Sequence, residues 1–272
     1  AMMTRKYVED NTSYVHPIEI ESEKPKGIII YSTPFYASAN QLIDLMNGST
    51  YNMCMHAIVD NGNVFNTLPF QYRGAHAGTK AGNDDYIGIM IPDIPDEGID
   101  RTVTLWTLQI FLAYYVIEHN ISIDEIQNFI LSMGVAHKLG LVTDTVYNAY
   151  SGEYHYFSKQ YLNDQSASIE NFQGIITRVK EIVGQVRTIR DQIAAEPFRA
   201  ENKTTEARRG EVVVFDGGSL FKTRGASTRL TSNGNLFLVV ITQVAPKAKH
   251  PYEVVFQSGE KYWVNKTSIE SF

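Results

Sequence analysis

Cysteine is almost missing from this sequence: there is one, Cys54, in 272 residues. That excludes a disulfide framework within the chain and a cysteine-cluster zinc site. Long hydrophobic runs are missing as well. No stretch approaches the roughly 20 apolar residues that cross a bilayer, so no membrane span is expected. Positive charge is in deficit, with 24 Lys and Arg against 30 Asp and Glu and a net charge of −6. Nucleic-acid binding rests on basic surface, and this composition offers no case for it. The opening Ala1-Met2-Met3-Thr4 lacks the apolar stretch of a secretory signal. The expectation is no signal peptide.

What is present is enough chain for a sizeable core and more than one domain. The first region, 1–160, alternates strands and helices. The apolar run 28–31 suits a strand buried on both faces. Leu42, Ile43 and Met46 mark one side of a helix that stops at Asn47-Gly48. Asp60-Asn61-Gly62 between two apolar runs reads as a hairpin turn. Residues 86–91 form another buried-strand candidate. Residues 100–119 read as an amphipathic helix with Val103, Thr107, Ile110, Tyr114 and Ile117 on one face. Ser122-Ile123-Asp124-Glu125 fits a capping box, opening a helix with Ile126, Phe129 and Ile130 inward.

The middle region, 161–197, carries a heptad seam. Phe172, Val179, Val186 and Ile193 fall at a, and Ile175, Ile182 and Ile189 at d. Ile176 and Val183 widen the stripe. A stripe from Phe172 to Ile193 this wide packs either on a neighbouring domain or in a homo-oligomer, and both readings stay open. Pro197 ends the helix, and 198–210 is a charged linker. From 211 to 272 the pattern is all-β, with short strands separated by Asp216-Gly217-Gly218, Ser232-Asn233-Gly234 and Ser258-Gly259-Glu260.

Three motifs carry a resemblance. Met55-His56-Ala57-Ile58-Val59 is followed by Gly74-Ala75-His76-Ala77-Gly78, then by Asn83-Asp84-Asp85-Tyr86-Ile87-Gly88-Ile89-Met90. In order and spacing, 26–93 resembles the type 2 N-acetylmuramoyl-L-alanine amidases. That family includes the peptidoglycan recognition proteins, and the particular look is that of a Gram-positive bacteriophage endolysin. Lys261-Tyr262-Trp263-Val264-Asn265 resembles the last strand of bacterial SH3-like (SH3b) wall-binding domains. The implied fold is an α/β amidase-like domain with a mixed central sheet flanked by helices, a helical connector, and a small all-β SH3-like barrel. The implied partner is peptidoglycan. The implied route is from the host cytoplasm to the wall, released by a holin or carried in the virion.

The resemblance also implies a zinc site, since the family's zinc activates the water that attacks the muramoyl-L-alanine amide. Such a site needs three protein ligands and an open fourth position. The first ligand position falls on Tyr31, whose phenol, with an ordinary pKa of about 10, is a poor ligand at neutral pH. The second falls on His137, in Met133-Gly134-Val135-Ala136-His137-Lys138. The third belongs in the run 151–157, where Glu153 is a substitute one residue out of register, with Asp144 a second substitute on spacing. The proton-handling glutamate position falls on Met90 and the alternative tyrosine position on Met55. A thioether is neither acid nor base. Compensation by His16, His119 or Glu153 stays open. His56, His76, Asn83 and Tyr86 match positions that line or pack the substrate groove, and Tyr262 and Trp263 are the candidate wall-contacting aromatics.

The resulting expectation is a pseudoenzyme that binds the wall without cutting it and holds no cofactor. An atypical zinc amidase is the first alternative. An oligomeric phage structural component is the second.

Overall fold

The structure, a computed structural model, describes residues 3–5, 25–47, 53–93, 101–150, 172–196, 208–232 and 234–271. The chain divides into two compact units. One contains Met3–Leu108 with Asp124–Thr177, and the other contains Gln109–Ile123 with Arg178–Phe272.

The first unit is built on a six-stranded mixed sheet. Its strands are β1 (Met3–Arg5), β2 (Gly27–Tyr36), β3 (Ala57–Asp60), β4 (Asn63–Asn66), β5 (Tyr86–Asp93) and β6 (Ile130–Ser132), ordered β1-β4-β3-β5-β2-β6. All neighbours run parallel except the β3–β4 hairpin. Asn61 turns that hairpin at φ 49, in the left-handed region that an Asn-Gly turn exploits. Strand β2 lies between β5 and β6, and Ile28, Ile29, Ile30 and Tyr31 are all fully buried. A strand covered on both faces reads as a continuous apolar run rather than an alternating one, as the sequence does here.

Short helices connect these strands. They are α1 (Ala39–Asn47), α2 (Lys80–Asp85), α4 (Ile123–Phe129), α5 (Met133–Lys138) and α6 (Asp144–Tyr150). Helix α1 buries Leu42, Ile43 and Met46, the side expected from spacing. The expected helix through Ile130 stops at Phe129 instead. Ile130, Leu131 and Ser132 leave it to pair with Ile28, Ile29 and Ile30 of β2. Backbone pairing on the sheet edge prevails over three residues of helical periodicity. Ser132 then caps α5, its Oγ accepting from Val135 N.

Helix α3 (Arg101–Glu118) departs from expectation. It is not a one-faced amphipathic helix: from Thr104 to Ile117 only Trp106 escapes full burial. A helix hydrophobic all round is a buried helix. Thr104 and Gln109, polar residues off the expected face, are buried as well.

The second unit contains most of helix α7 (Phe172–Ala195) and a five-stranded antiparallel sheet. The seam residues Ile175, Val179, Ile182, Val186 and Ile193 of α7 are buried within a single chain, as are Ile176 and Val183. Arg187 fixes α7 within this unit, its Nη2 donating to Ile121 O at 2.6 Å, just past the end of α3. A cation there also suits the negative end of the helix dipole.

The sheet runs β10-β9-β8-β7-β11, from β7 (Val212–Phe215), β8 (Phe237–Val244), β9 (Tyr252–Val255), β10 (Lys261–Val264) and β11 (Ile269–Glu270). Its core gathers Val213, Phe215, Val239, Ile241, Val254 and Val264. Gly217, Gly234 and Gly259 take positive φ at 78°, 79° and 88°, at the three turns read from the sequence. No helix among the described residues is long and apolar enough to cross a membrane.

Candidate functional site

The amidase-like positions converge, but inside the core. Tyr31 and Met90 are register partners on β2 and β5, and Ile58 of β3 pairs with Met90 on its other side. Met55 precedes β3. Tyr31, Met55 and Met90 share one apolar cluster with Leu42, Met46, Ile58 and Ala136, and none is more than 2% exposed. Burial pushes the Tyr31 hydroxyl well above the usual phenol range. That hydroxyl lies 2.8 Å from His76 Nδ1.

Two buried histidines sit behind Tyr31. His76 Nε2 is 3.0 Å from Tyr86 O, and His56 Nε2 is 2.7 Å from Tyr72 O. Carbonyls only accept, so each Nε2 carries the proton and each Nδ1 is an acceptor. His76 Nδ1 takes the Tyr31 hydroxyl, and His56 Nδ1 takes Gly88 N at 3.0 Å. Both rings are therefore neutral and fully hydrogen-bonded. Burial lowers His56 to about 4 and His76 to about 3, the neighbouring His56 adding to the second shift. The ring centroids lie 5.8 Å apart, edge to face. The two candidate groove histidines are thus brought together, but as core residues with no ring nitrogen left for a ligand.

The glycines of these motifs follow from the same packing. A Cβ at Gly88 would stand 2.6 Å from His76 Cδ2 and Cγ, and one at Gly74 would stand 2.7 Å from His76 Cδ2. Gly88→Ala should therefore cost about 1–3 kcal/mol by overpacking. Gly134→Ala, where nothing lies within 4 Å, should be neutral or stabilising in its helix. Denaturant melts of the two variants check this, and equal midpoints would refute the packing.

Asn83 holds the preceding turn. Its Oδ1 accepts from His76 N at 2.9 Å and Ala77 N at 2.8 Å. Tyr86 is half-buried, and its ring packs over Gly27.

His137, on α5, faces a different environment. Its Nε2 lies 2.6 Å from Asp144 Oδ1 at the start of α6, and its ring stacks on Tyr147 at 4.1 Å. The Asp144 side chain is 88% exposed. Asp144, a substitute on spacing alone, is thus the carboxylate that meets His137. Tyr147 went unrecognised, although its place one turn after Asp144 was a usable signal. His119 belongs to the other unit, stacked on Tyr115 at 3.9 Å. Glu153 and His16 lie outside the described residues.

These donors do not fit the zinc site that the resemblance implies. Tyr31 is protonated and engaged with His76, while Met55 and Met90 bring buried thioethers. Among the described residues, which leave out the run 151–157, His137 and Asp144 make two donors where three are needed. Among the described residues no group of three or more His, Cys, Asp or Glu side chains comes together to hold a metal.

In the C-terminal sheet, Tyr262 is half-buried, with Phe256 edge-on at 5.8 Å. Trp263, expected as an exposed aromatic face, is instead buried, its backbone bridged to Phe221. Strand alternation sets Tyr262 and Val264 against the sheet's core and Trp263 on the opposite face, where it is buried all the same.

No protein-family profile and no curated protein matches this chain. Solved structures do. The chain is similar to the Staphylococcus aureus hydrolase AmiA, solved with its ligand, at a TM-score of 0.50 and 18% identity, over 66% of this chain and 83% of that one. A mutant endolysin from Bacillus subtilis aligns at a TM-score of 0.46 and 21% identity, over 64% of this chain and 97% of that one. The N-acetylmuramoyl-L-alanine amidase LysC from Clostridium intestinale aligns at 0.34 and 16%, over 52% and 98%. At these identities the likeness to the first is one of fold. The mixed α/β sheet flanked by helices is a fold shared with that hydrolase.

Proposed function

We propose that this chain is a cell-wall-directed protein of the bacteriophage endolysin type, with an amidase-like domain that binds peptidoglycan without cleaving it. One observation carries this reading: Tyr31, Met55 and Met90 are sealed together in an apolar cluster. Hydrolysis by the family's route needs a metal ligand and a proton carrier at those positions. A buried phenol donating to His76 and two thioethers supply neither. In this reading 1–160 forms the amidase-like domain, 161–197 the connector and 198–210 the linker. The segment 211–272 forms an SH3-like wall-binding module. Tyr86 and Tyr262, both half-buried, are the side chains assigned to glycan or stem-peptide contact.

The test combines three measurements on the full chain: co-sedimentation with purified Gram-positive sacculi, elemental analysis after dialysis, and release of soluble stem peptide with and without added zinc. Expected are co-sedimentation, far less than one zinc per chain, and no release. One zinc per chain with peptide release would establish the second reading, an atypical amidase. The exposed His137–Asp144 pair is the observation that favours it. In that case Asp144→Asn should abolish both zinc retention and release.

A further inference from the structure

The net charge of −6 conceals a basic end on the C-terminal sheet. Three loops meet there. The first, between β7 and β8, contains a hairpin tip closed by the Leu220–Leu230 bridge. It bears Lys222, Arg224 and Arg229. The second, between β8 and β9, bears Lys247 and Lys249. The third follows β10 and bears Lys266. All six cations are exposed. The segments 218–232, 245–251 and 265–268 contain no Asp or Glu. None of the six forms an ion pair with a described side chain.

The loops are held together by a buried histidine. His250 is 2% exposed and its ring stacks on Phe221 at 3.4 Å. Its Nε2 lies 2.9 Å from Ala226 O, and its backbone N donates to Arg224 O at 3.0 Å. Its Nδ1 lies 2.7 Å from Asn265 Oδ1 in the third loop. Phe221 is in turn tied to Trp263 by paired backbone hydrogen bonds of 2.9 and 2.8 Å. One side chain therefore fixes the spacing of three basic segments. Placing like charges together costs energy, and a fixed cluster of unpaired cations is the footprint of an anionic partner.

We propose that this end of the sheet is a binding site for a polyanion with a phosphodiester backbone and no bases, of the polyol-phosphate kind found in bacterial walls. The site offers charge without stacking. Phe221 and Trp263, the aromatic rings at its base, are buried, whereas single-stranded nucleic acid is held by exposed aromatics between the cations. The choice of a wall polymer rests on the wall-directed reading above; the charge geometry does not.

The test uses the full chain with three probes: sacculi retaining their polyol-phosphate polymer, the same sacculi after hydrofluoric acid has cleaved the phosphodiesters, and duplex DNA. Binding to intact sacculi should exceed binding to stripped sacculi by about tenfold. It should also weaken about tenfold or more between roughly 50 and 200 mM salt, as counterion release requires. Lys222→Gln, Arg224→Gln, Lys247→Gln and Lys249→Gln together should remove the difference between the sacculi without lowering the melting temperature. Lys138→Gln with Lys261→Gln, two cations elsewhere, should leave it in place. A wild-type chain that binds both sacculi equally overturns the proposal, as does a folded quadruple variant that keeps the difference. Tighter binding to DNA than to intact sacculi overturns it in favour of a nucleic-acid site. Residual binding to stripped sacculi reports on the amidase-like domain, so failure of the wall-directed reading is seen separately.

Discussion

Lowering the pH from 7 to 5 should destabilise the α/β unit by about 4 kcal/mol. The cause is the pair His56 and His76, whose pKa values fall from an ordinary 6.5 to about 4 and about 3 in the fold. Between the folded and unfolded values the unfolded chain binds more protons than the native one, so stability rises with pH. The contribution is present in full above the unfolded value and is lost progressively as pH falls from there through the folded values. By pH 5 each ring has forfeited about 1.5 pH units, or about 2 kcal/mol. Ordinary carboxylates titrate mainly below this window, which separates their effect from that of the histidines. Denaturant midpoints at pH 7 and pH 5 measure it. With a slope of about 2 kcal/mol per molar urea, the shift is about 2 M. Identical midpoints would show that the two imidazoles are not buried and neutral.

Val179→Lys combined with Ile182→Lys should abolish cooperative folding of the helix-containing unit. Val179 is fully buried and Ile182 is 2% exposed. Each lysine must enter an apolar site charged, or give up its proton, at several kcal/mol either way. Domain stabilities of about 5–15 kcal/mol do not survive two such insertions. Gln185→Lys, on the exposed side of the same helix, controls for added charge. Melting and solution mass are read together. The seam is covered within one chain, so the loss should be of melting and not of subunits. A double variant that keeps its melting temperature but changes mass would mean that the seam is covered by a second copy.

Strand β2, the Asn61-Gly62 hairpin, helix α7 and the β7–β10 sheet were legible because each rests on a local signal. These are an unbroken apolar run, a turn dipeptide, a heptad spacing, and glycine turns between short apolar runs. Strands β1, β6 and β11 were not, because two or three residues carry no period and acquire strand geometry only from a neighbour's backbone. The basic end of the C-terminal sheet was hidden by arithmetic. Six cations spread over 222–266 disappear into a net charge summed along the whole chain, and only folding concentrates them.

The sequence by itself determined the order of the motifs and the groups they carry: a phenol at Tyr31 and thioethers at Met55 and Met90, wherever the fold sets them. Only the tertiary structure decided which of the motif side chains are buried and what they bond to. It turned His56 and His76 into neutral, fully bonded core groups, because Gly74 and Gly88 leave room for the His76 ring and the Tyr31 hydroxyl supplies its donor. It joined His137 to Asp144 and buried Trp263. Burial and hydrogen-bond partners belong to pairs of residues far apart in the chain, and a side chain's protonation and reach are set by those partners rather than by its own identity.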